Sequence, residues 1–258
     1  MTVTNSVGII TAIFGNYDFI PPVPTDFDRA VLVSDVPINS NWENIVISPN
    51  LPSALAAKIP KFRPDLFLDT NACVWIDANC RDENSWLRKA SDKILEKSEL
   101  AFFLHPSRTS VQDEIDASRN KLKYALIDFE SQFNSYKSQG FKDNAGLYSG
   151  GVIVWAKTKR NIILGNEWFT QNCIWNTQDQ VSLPFVLFKL GITPTFFEED
   201  IWKGPLSWVG RPTNCKSRTK DVTQLIKMYK AGYRSRALRY AKKIISDLIT
   251  SRFVPRHK

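Results

Sequence analysis

Short apolar runs closed by polar turns alternate, along this chain, with segments whose apolar residues recur every three or four positions. The first run, Val7 to Phe14, gives way to Gly15-Asn16-Tyr17-Asp18, which predicts a buried strand ending in a loop. Ala30–Val33, followed by Ser34-Asp35, predicts a second strand and Asn44–Ile47 a third. Ser53–Ile59 reads as a helix stopped before Pro60. Ala72–Ile76 predicts a strand ending at Asp77, Ser85–Ser98 a helix with charged residues outside, and Ala101–Leu104 a strand running into His105-Pro106-Ser107-Arg108. Val111–Gln139 is one long helical region rich in polar residues. Gly146–Trp155 holds the next strand, interrupted by Gly150-Gly151. Helices follow over Thr158–Cys173 and Gln178–Leu190, the latter with Pro184 early in its run, then a short strand at Thr195–Phe197. Val222–Thr250 reads as a basic amphipathic helix or helix pair broken at Gly232.

Strands separated by helices imply an α/β fold: a Rossmann-type sandwich with a mostly parallel central sheet. The expected division is a main domain over residues 1–215 and a basic helical tail over 216–258. Open sheets of this kind bind ligands at the carboxyl ends of their strands. Three polar clusters fall there: Asn16 to Asp18, Ser34-Asp35 and Asp77 to Asn79. Neither G-x-G-x-x-G nor G-x-x-x-x-G-K-[ST] follows the first strand, which speaks against dinucleotide and P-loop chemistry.

Composition sharpens this picture in three places. A hydrophobic fraction of 43% is enough for a sizeable core. Four cysteines without a C-x-x-C pair, and only two histidines, speak against a structural zinc site. With no signal-peptide pattern and no span-length apolar stretch, the expectation is a cytoplasmic protein with reduced thiols. The net charge of +8 is uneven: residues 216–258 hold 13 Lys and Arg against 2 acidic residues, leaving 21 basic and 24 acidic residues in the first 215. Such a tail suits an anionic membrane surface or nucleic-acid phosphates, or it packs on the domain with a solvated basic face.

The sharpest chemical feature is Asp77-Ala78-Asn79. Two oxygen-bearing side chains at i and i+2 past a strand can point at one Mg²⁺ or Mn²⁺, which would neutralise a departing nucleotide diphosphate. A strand-to-turn cap uses the same residues. Lys58, Lys61 and Arg63 precede that strand as candidate phosphate contacts, or as a solvated face. His105 is a candidate metal ligand or diphosphate contact, and Arg108 a candidate partner for phosphate or for a nearby carboxylate. Gly150-Gly151 predicts a bulge or a close backbone approach by a ligand. Asp179, with Gln180 beside it, opens a helix. It is a candidate base for an acceptor hydroxyl or a binder of sugar hydroxyls, with capping as the plain alternative.

Thr11-Ala12-Ile13-Phe14-Gly15-Asn16-Tyr17-Asp18, Trp75-Ile76-Asp77-Ala78-Asn79, His105-Pro106-Ser107-Arg108 and Asp179-Gln180-Val181-Ser182-Leu183-Pro184 occur in that order. This series resembles the glycosyltransferase-like family catalogued as domain of unknown function 616, which is similar to GT-A glycosyltransferases. The resemblance covers residues 7 to 197. It implies a GT-A-like nucleotide-sugar domain with an Asp-x-Asp-like metal motif on Asp77 and Asn79. It also implies that the loop from Thr11 through Phe14, Asn16 and Tyr17, together with Asp35, holds the nucleotide. Asn79 stands in place of the second carboxylate, and Gln178 where an Arg commonly precedes Asp-Gln. The function expected is transfer of a sugar from a nucleoside diphosphate sugar to a glycan or lipid-linked acceptor of surface-polysaccharide type, at the inner face of the membrane. The alternatives are a transferase acting on nucleic acid and a non-catalytic nucleotide- or carbohydrate-binding module.

Overall fold

The computed structural model describes residues 6–15, 18–82, 84–119, 124, 127–144 and 146–209. A seven-stranded sheet is built from β1 (Val7–Ile13), β2 (Arg29–Ser34), β3 (Glu43–Val46), β4 (Ala72–Ile76), β6 (Leu100–Leu104), β7 (Tyr148–Ala156) and β8 (Thr195–Phe197). Its order is β3-β2-β1-β4-β7-β6-β8. All its pairings are parallel except those of β7, which runs against β4 and β6. The mostly parallel, Rossmann-like α/β fold read from the alternation of elements is therefore the fold observed. From β1 the chain builds outward through β2 and β3, then returns to lay β4 on the other side of β1. In open α/β sheets such a reversal marks the place, at the carboxyl ends of the strands, where a ligand is expected.

Both faces of the sheet are covered. One carries Val7, Ile9, Leu32, Val74, Ile76, Phe103 and Val154, packed with Leu87 and Trp86 of α3 (Trp86–Leu95). On the other, Phe102 and Trp155 meet Trp168 of α6 (Lys159–Ile174), which stacks at 4.1 Å on Phe62 of α2 (Lys58–Phe62). Burying a ring of this size contributes on the order of 2–3 kcal/mol. The same layer holds α7 (Asp179–Leu190), and Phe185 of α7 stacks on Tyr136 of α5 (Phe129–Ser138).

Two predicted elements differ from those observed, and one observed element was not predicted. The expected helix Ser53–Ile59 is two short pieces, α1 (Ser53–Ala56) and α2, and α2 contains Pro60. Pro60 is the third residue of α2, where the backbone N–H has no partner inside the helix, so the ring is tolerated. The single long helix over Val111–Gln139 is instead α4 (Val111–Arg119) and α5. The side chain of Asp128 caps α5 by accepting from the Ser131 N–H at 3.1 Å, a local signal hidden by the polar character of the whole stretch. A two-stranded antiparallel ribbon, β5 (Cys80–Arg81) with β9 (Ser207–Trp208), has no counterpart in the periodicity because each strand is two residues long.

Of the described residues, 6–116 and 128–209 form one compact unit, and 117–119, 124 and 127 fall outside it. The predicted boundary at residue 215 and the basic tail lie outside the described residues.

Candidate active site at the end of β4

Side chains alternate along a strand, so Cys73, Trp75 and Asp77 share the face of β4 opposite to Val74 and Ile76. That places Asp77, at the carboxyl end of β4, on the side covered by α2, α6 and α7. The Asp77 carboxylate is half-buried, and its Oδ1 accepts from Trp75 Nε1 at 2.9 Å. The turn after it is held at several points. The Asp77 N–H donates to Gly151 O at 2.8 Å, and Asn79 O accepts from the Val209 N–H at 2.8 Å. The buried Arg81 guanidinium donates to the carbonyls of Ala78 and Cys80.

Lys58 and Lys61 stand at i and i+3 on α2 and so point the same way. Both ammonium groups converge on Asp179 Oδ2, Lys58 at 2.7 Å and Lys61 at 2.6 Å. Lys61 Nζ is also 3.6 Å from Asp77 Oδ1 and lies 5.7 Å over the Trp75 ring. Two cations and two carboxylates thus form one cluster, which neutralises charge that burial would otherwise make costly. Burial pulls Lys58 below the ordinary lysine value despite Asp179. For Lys61 burial acts the same way, but Asp179 and Asp77 together outweigh it and leave the group raised. Burial would raise Asp179, yet the two lysines hold its carboxyl well below the usual carboxylate range. A carboxylate held in that state is a weak base, so the surroundings favour Asp179 as a fixed anion over the proton acceptor considered from the sequence.

Gly150-Gly151 belongs to this cluster. The pairing of β6 with β7 slips between Phe102 and Phe103, jumping from Ile153 to Ser149, so the two glycines lie in an irregular stretch. A Cβ at Gly150 would lie 2.9 Å from Lys61 Nζ and 3.4 Å from Asp179 Oδ2, and one at Gly151 would lie 2.7 Å from the Trp208 ring. The glycines are where side chains of this protein approach the backbone.

The other candidates are spread along the same end of the sheet or lie away from it. Asp35, after β2, accepts from the Gly15 N–H at 2.8 Å, and Gly15 is left-handed at φ 66°. Asp35 therefore anchors the loop after β1, while Asn16 and Tyr17 lie outside the described residues. Thr11 is fully buried within β1 and Phe14 is buried, so neither is exposed at that end of the sheet. Arg63 is held bidentately by Asp65 and also donates to Asn166, apart from the Lys–Asp cluster. His105 and Arg108 belong to a neighbouring network. His105 Nδ1 accepts from the N–H groups of Ser107 and Arg108, and Arg108 contacts His105 Nε2 at 2.6 Å and pairs with buried Glu114. Gln178, the residue before Asp179, donates its side-chain amide to the same Glu114. Gln180 reaches the Tyr148 carbonyl at 3.3 Å.

Two oxygen donors suit a hard divalent ion when diphosphate oxygens and water complete its shell, and Asp77 and Asn79 carry donors of that kind in the turn after β4. Among the described residues no group of three or more His, Cys, Asp or Glu side chains is gathered as a metal site. Burial and the charge of Asp77 push the neighbouring Cys80 thiol up to about 12.

Trp75 and Arg81 were not singled out from the sequence. For Trp75 the signal was its i−2 relation to Asp77 on one strand. For Arg81 no signal existed, because a basic residue after an acidic turn usually points to solvent.

A family model described as TOD1/MUCI70, glycosyltransferase-like domain, matches residues 32–201. The chain belongs to this family. The match begins inside β2 and runs past β8, so it includes Asp35, the α2 lysines, Asp77, the glycine pair and Asp179. No curated protein matches the chain. As a member of the TOD1/MUCI70 family, the protein carries a glycosyltransferase-like domain, which agrees with the glycosyltransferase-like character of the resemblance.

Proposed function

We propose that this TOD1/MUCI70-type domain transfers a sugar from a nucleoside diphosphate sugar to a glycan or lipid-linked saccharide, with the reaction centred on the cluster at the end of β4. The observation that carries this reading is the sharing of Lys61 between Asp77 and Asp179 beside the strand reversal. A diphosphate arriving at Asp77 meets two ammonium groups already held in place, so little reorganisation is needed to stabilise it. Lys58 and Lys61 then bear on the departing diphosphate. Asp179 holds both lysines through Oδ2 and offers Oδ1 to a sugar hydroxyl. Asp77 and Asn79 would hold Mn²⁺ or Mg²⁺. When bound, that ion supplies Lewis-acid neutralisation of the leaving group. Asp35 and the loop from Gly15 hold the nucleoside, and the β6–β8 side is left for the acceptor.

The test is a thermal-shift screen of nucleoside diphosphates and nucleotide sugars with and without Mn²⁺. A ligand at 100 times its Kd adds about 2.7 kcal/mol to the native state, so binding is readily seen. At least one nucleoside diphosphate is expected to raise the melting temperature, more so with Mn²⁺, and Asp77→Ala should remove the Mn²⁺-dependent part. If no nucleoside diphosphate shifts the wild type, the reading is wrong.

A further inference from the structure

The turn after β8 holds a tryptophan outward on a rigid frame. Trp202 is 55% exposed, although both its neighbours in the chain are fixed. Asp200 Oδ1 accepts from the N–H groups of Trp202 at 2.7 Å and Lys203 at 3.1 Å, and Asp200 O accepts from Gly204 at 2.7 Å. Ile201 is buried, and its carbonyl accepts from Trp208 Nε1 at 2.8 Å. An indole left in water forgoes burial, so a fixed and exposed one invites a partner.

The position points to what that partner is. Ile201 and Trp208 are the side chains packed against Gly151, next to the Gly150 position that abuts Lys61 and Asp179. The Trp202 ring meets His105, which follows β6, edge-on at 5.8 Å. Along the sheet edge formed by the carboxyl ends of β2, β1, β4 and β6 and the amino end of β7, the order is therefore Asp35 and Gly15, then Asp77, then Gly150, then His105 and Trp202. Trp202 lies across the charged cluster from the loop proposed to hold the nucleoside. Exposed Glu198 and Glu199 precede it in the chain. An indole face preceded in the chain by two exposed carboxylates suits a saccharide, whose ring presents C–H groups on one face and hydroxyl donors at its rim.

We propose that Trp202 is the platform on which the acceptor saccharide stacks. This rests on the transferase reading above and adds a binding residue to it. The test uses the full chain with ¹⁵N-labelled indoles, the Trp202 resonance being assigned with Trp202→Phe. Methyl glycosides of glucose, galactose, mannose and xylose, and their short oligomers, are titrated in. Selective movement of the Trp202 signal by at least one of them is expected. Trp202→Ala should weaken that binding about tenfold, and Trp202→Tyr should restore most of it, as an aromatic contact worth roughly 1 kcal/mol or more requires. Binding of nucleoside diphosphate should be the same in all three proteins. A Trp202 signal unmoved by the whole panel would overturn the proposal, as would a signal that responds only to phosphatidylglycerol vesicles. If wild-type protein also fails to bind any nucleoside diphosphate, the transferase reading itself has failed. If nucleotide binds and saccharides do not, only the role of Trp202 falls.

Discussion

Lys61 is shared between two carboxylates from different elements, and Asp179 accepts from two lysines on one oxygen. The arrangement makes Asp179 the member whose loss is felt most, because removing it leaves two buried ammonium groups facing each other. Asp179→Asn is expected to cost about 3–5 kcal/mol, the usual penalty for breaking a buried ion pair from one side. The pH dependence gives the sign. In the wild type the depressed Asp179 carboxyl contributes stability at pH values above the ordinary carboxylate range, and that contribution is lost as pH falls below it. In the variant Lys58 loses its hydrogen-bonded carboxylate and Lys61 keeps only Asp77, so burial pulls their folded values down relative to the unfolded value of about 10.4 and stability returns as pH rises. Urea midpoints at pH 7 and pH 9.5 check this. The midpoint of Asp179→Asn should rise between them by more than that of the wild type, and equal changes would mean the lysines do not depend on Asp179.

At the scale of elements, α2 positions the cluster and α6 positions α2. A Cβ at Gly165 in the middle of α6 would lie 1.9 Å from Phe62 O, so the two helices meet backbone to backbone at this point. In an ordinary helix interior Gly→Ala stabilises by about 0.5–1 kcal/mol, whereas overpacking costs about 1–3 kcal/mol, and at this distance overpacking wins. Gly165→Ala should therefore lower stability by at least that amount in chemical denaturation, and weaken nucleoside diphosphate binding by shifting Lys58 and Lys61. A stabilised variant would show that α2 gives way freely. The strands were legible because apolar runs closed by Asp, Ser or Gly are local signals, and so was the placement of Asp77 at a strand end. The convergence of Lys58, Lys61 and Asp179 was not legible. It depends on the pairing of β4 with an antiparallel β7 and on a helix that continues through Pro60, and both are decided by contacts distant in sequence. The apolar run placed Thr11 in the first strand, and β1 does extend to Ile13 with Thr11 in the core, which runs against the loop role that the resemblance implied for Thr11.

Across the whole sheet end, the candidate nucleoside side and the candidate acceptor side flank the charged cluster, and they share no residue. On the proposed reading Asp35 acts through Gly15, whose N–H it holds at 2.8 Å, and Trp202 from the turn packed behind Gly151. Loss of a hydrogen bond to a charged group is worth about 1.5 kcal/mol, so Asp35→Ala should weaken nucleoside diphosphate binding roughly tenfold. Trp202→Ala should leave that binding alone. Sites without shared partners give additive effects, within about 0.5 kcal/mol. The double variant should then bind nucleoside diphosphate as Asp35→Ala does and methyl glycosides as Trp202→Ala does, by calorimetric titration of each ligand separately. A double variant that departs from both singles would place the two ligands in contact across β4. The sheet end would then work as one pocket instead of two halves joined by the Lys61 bridge.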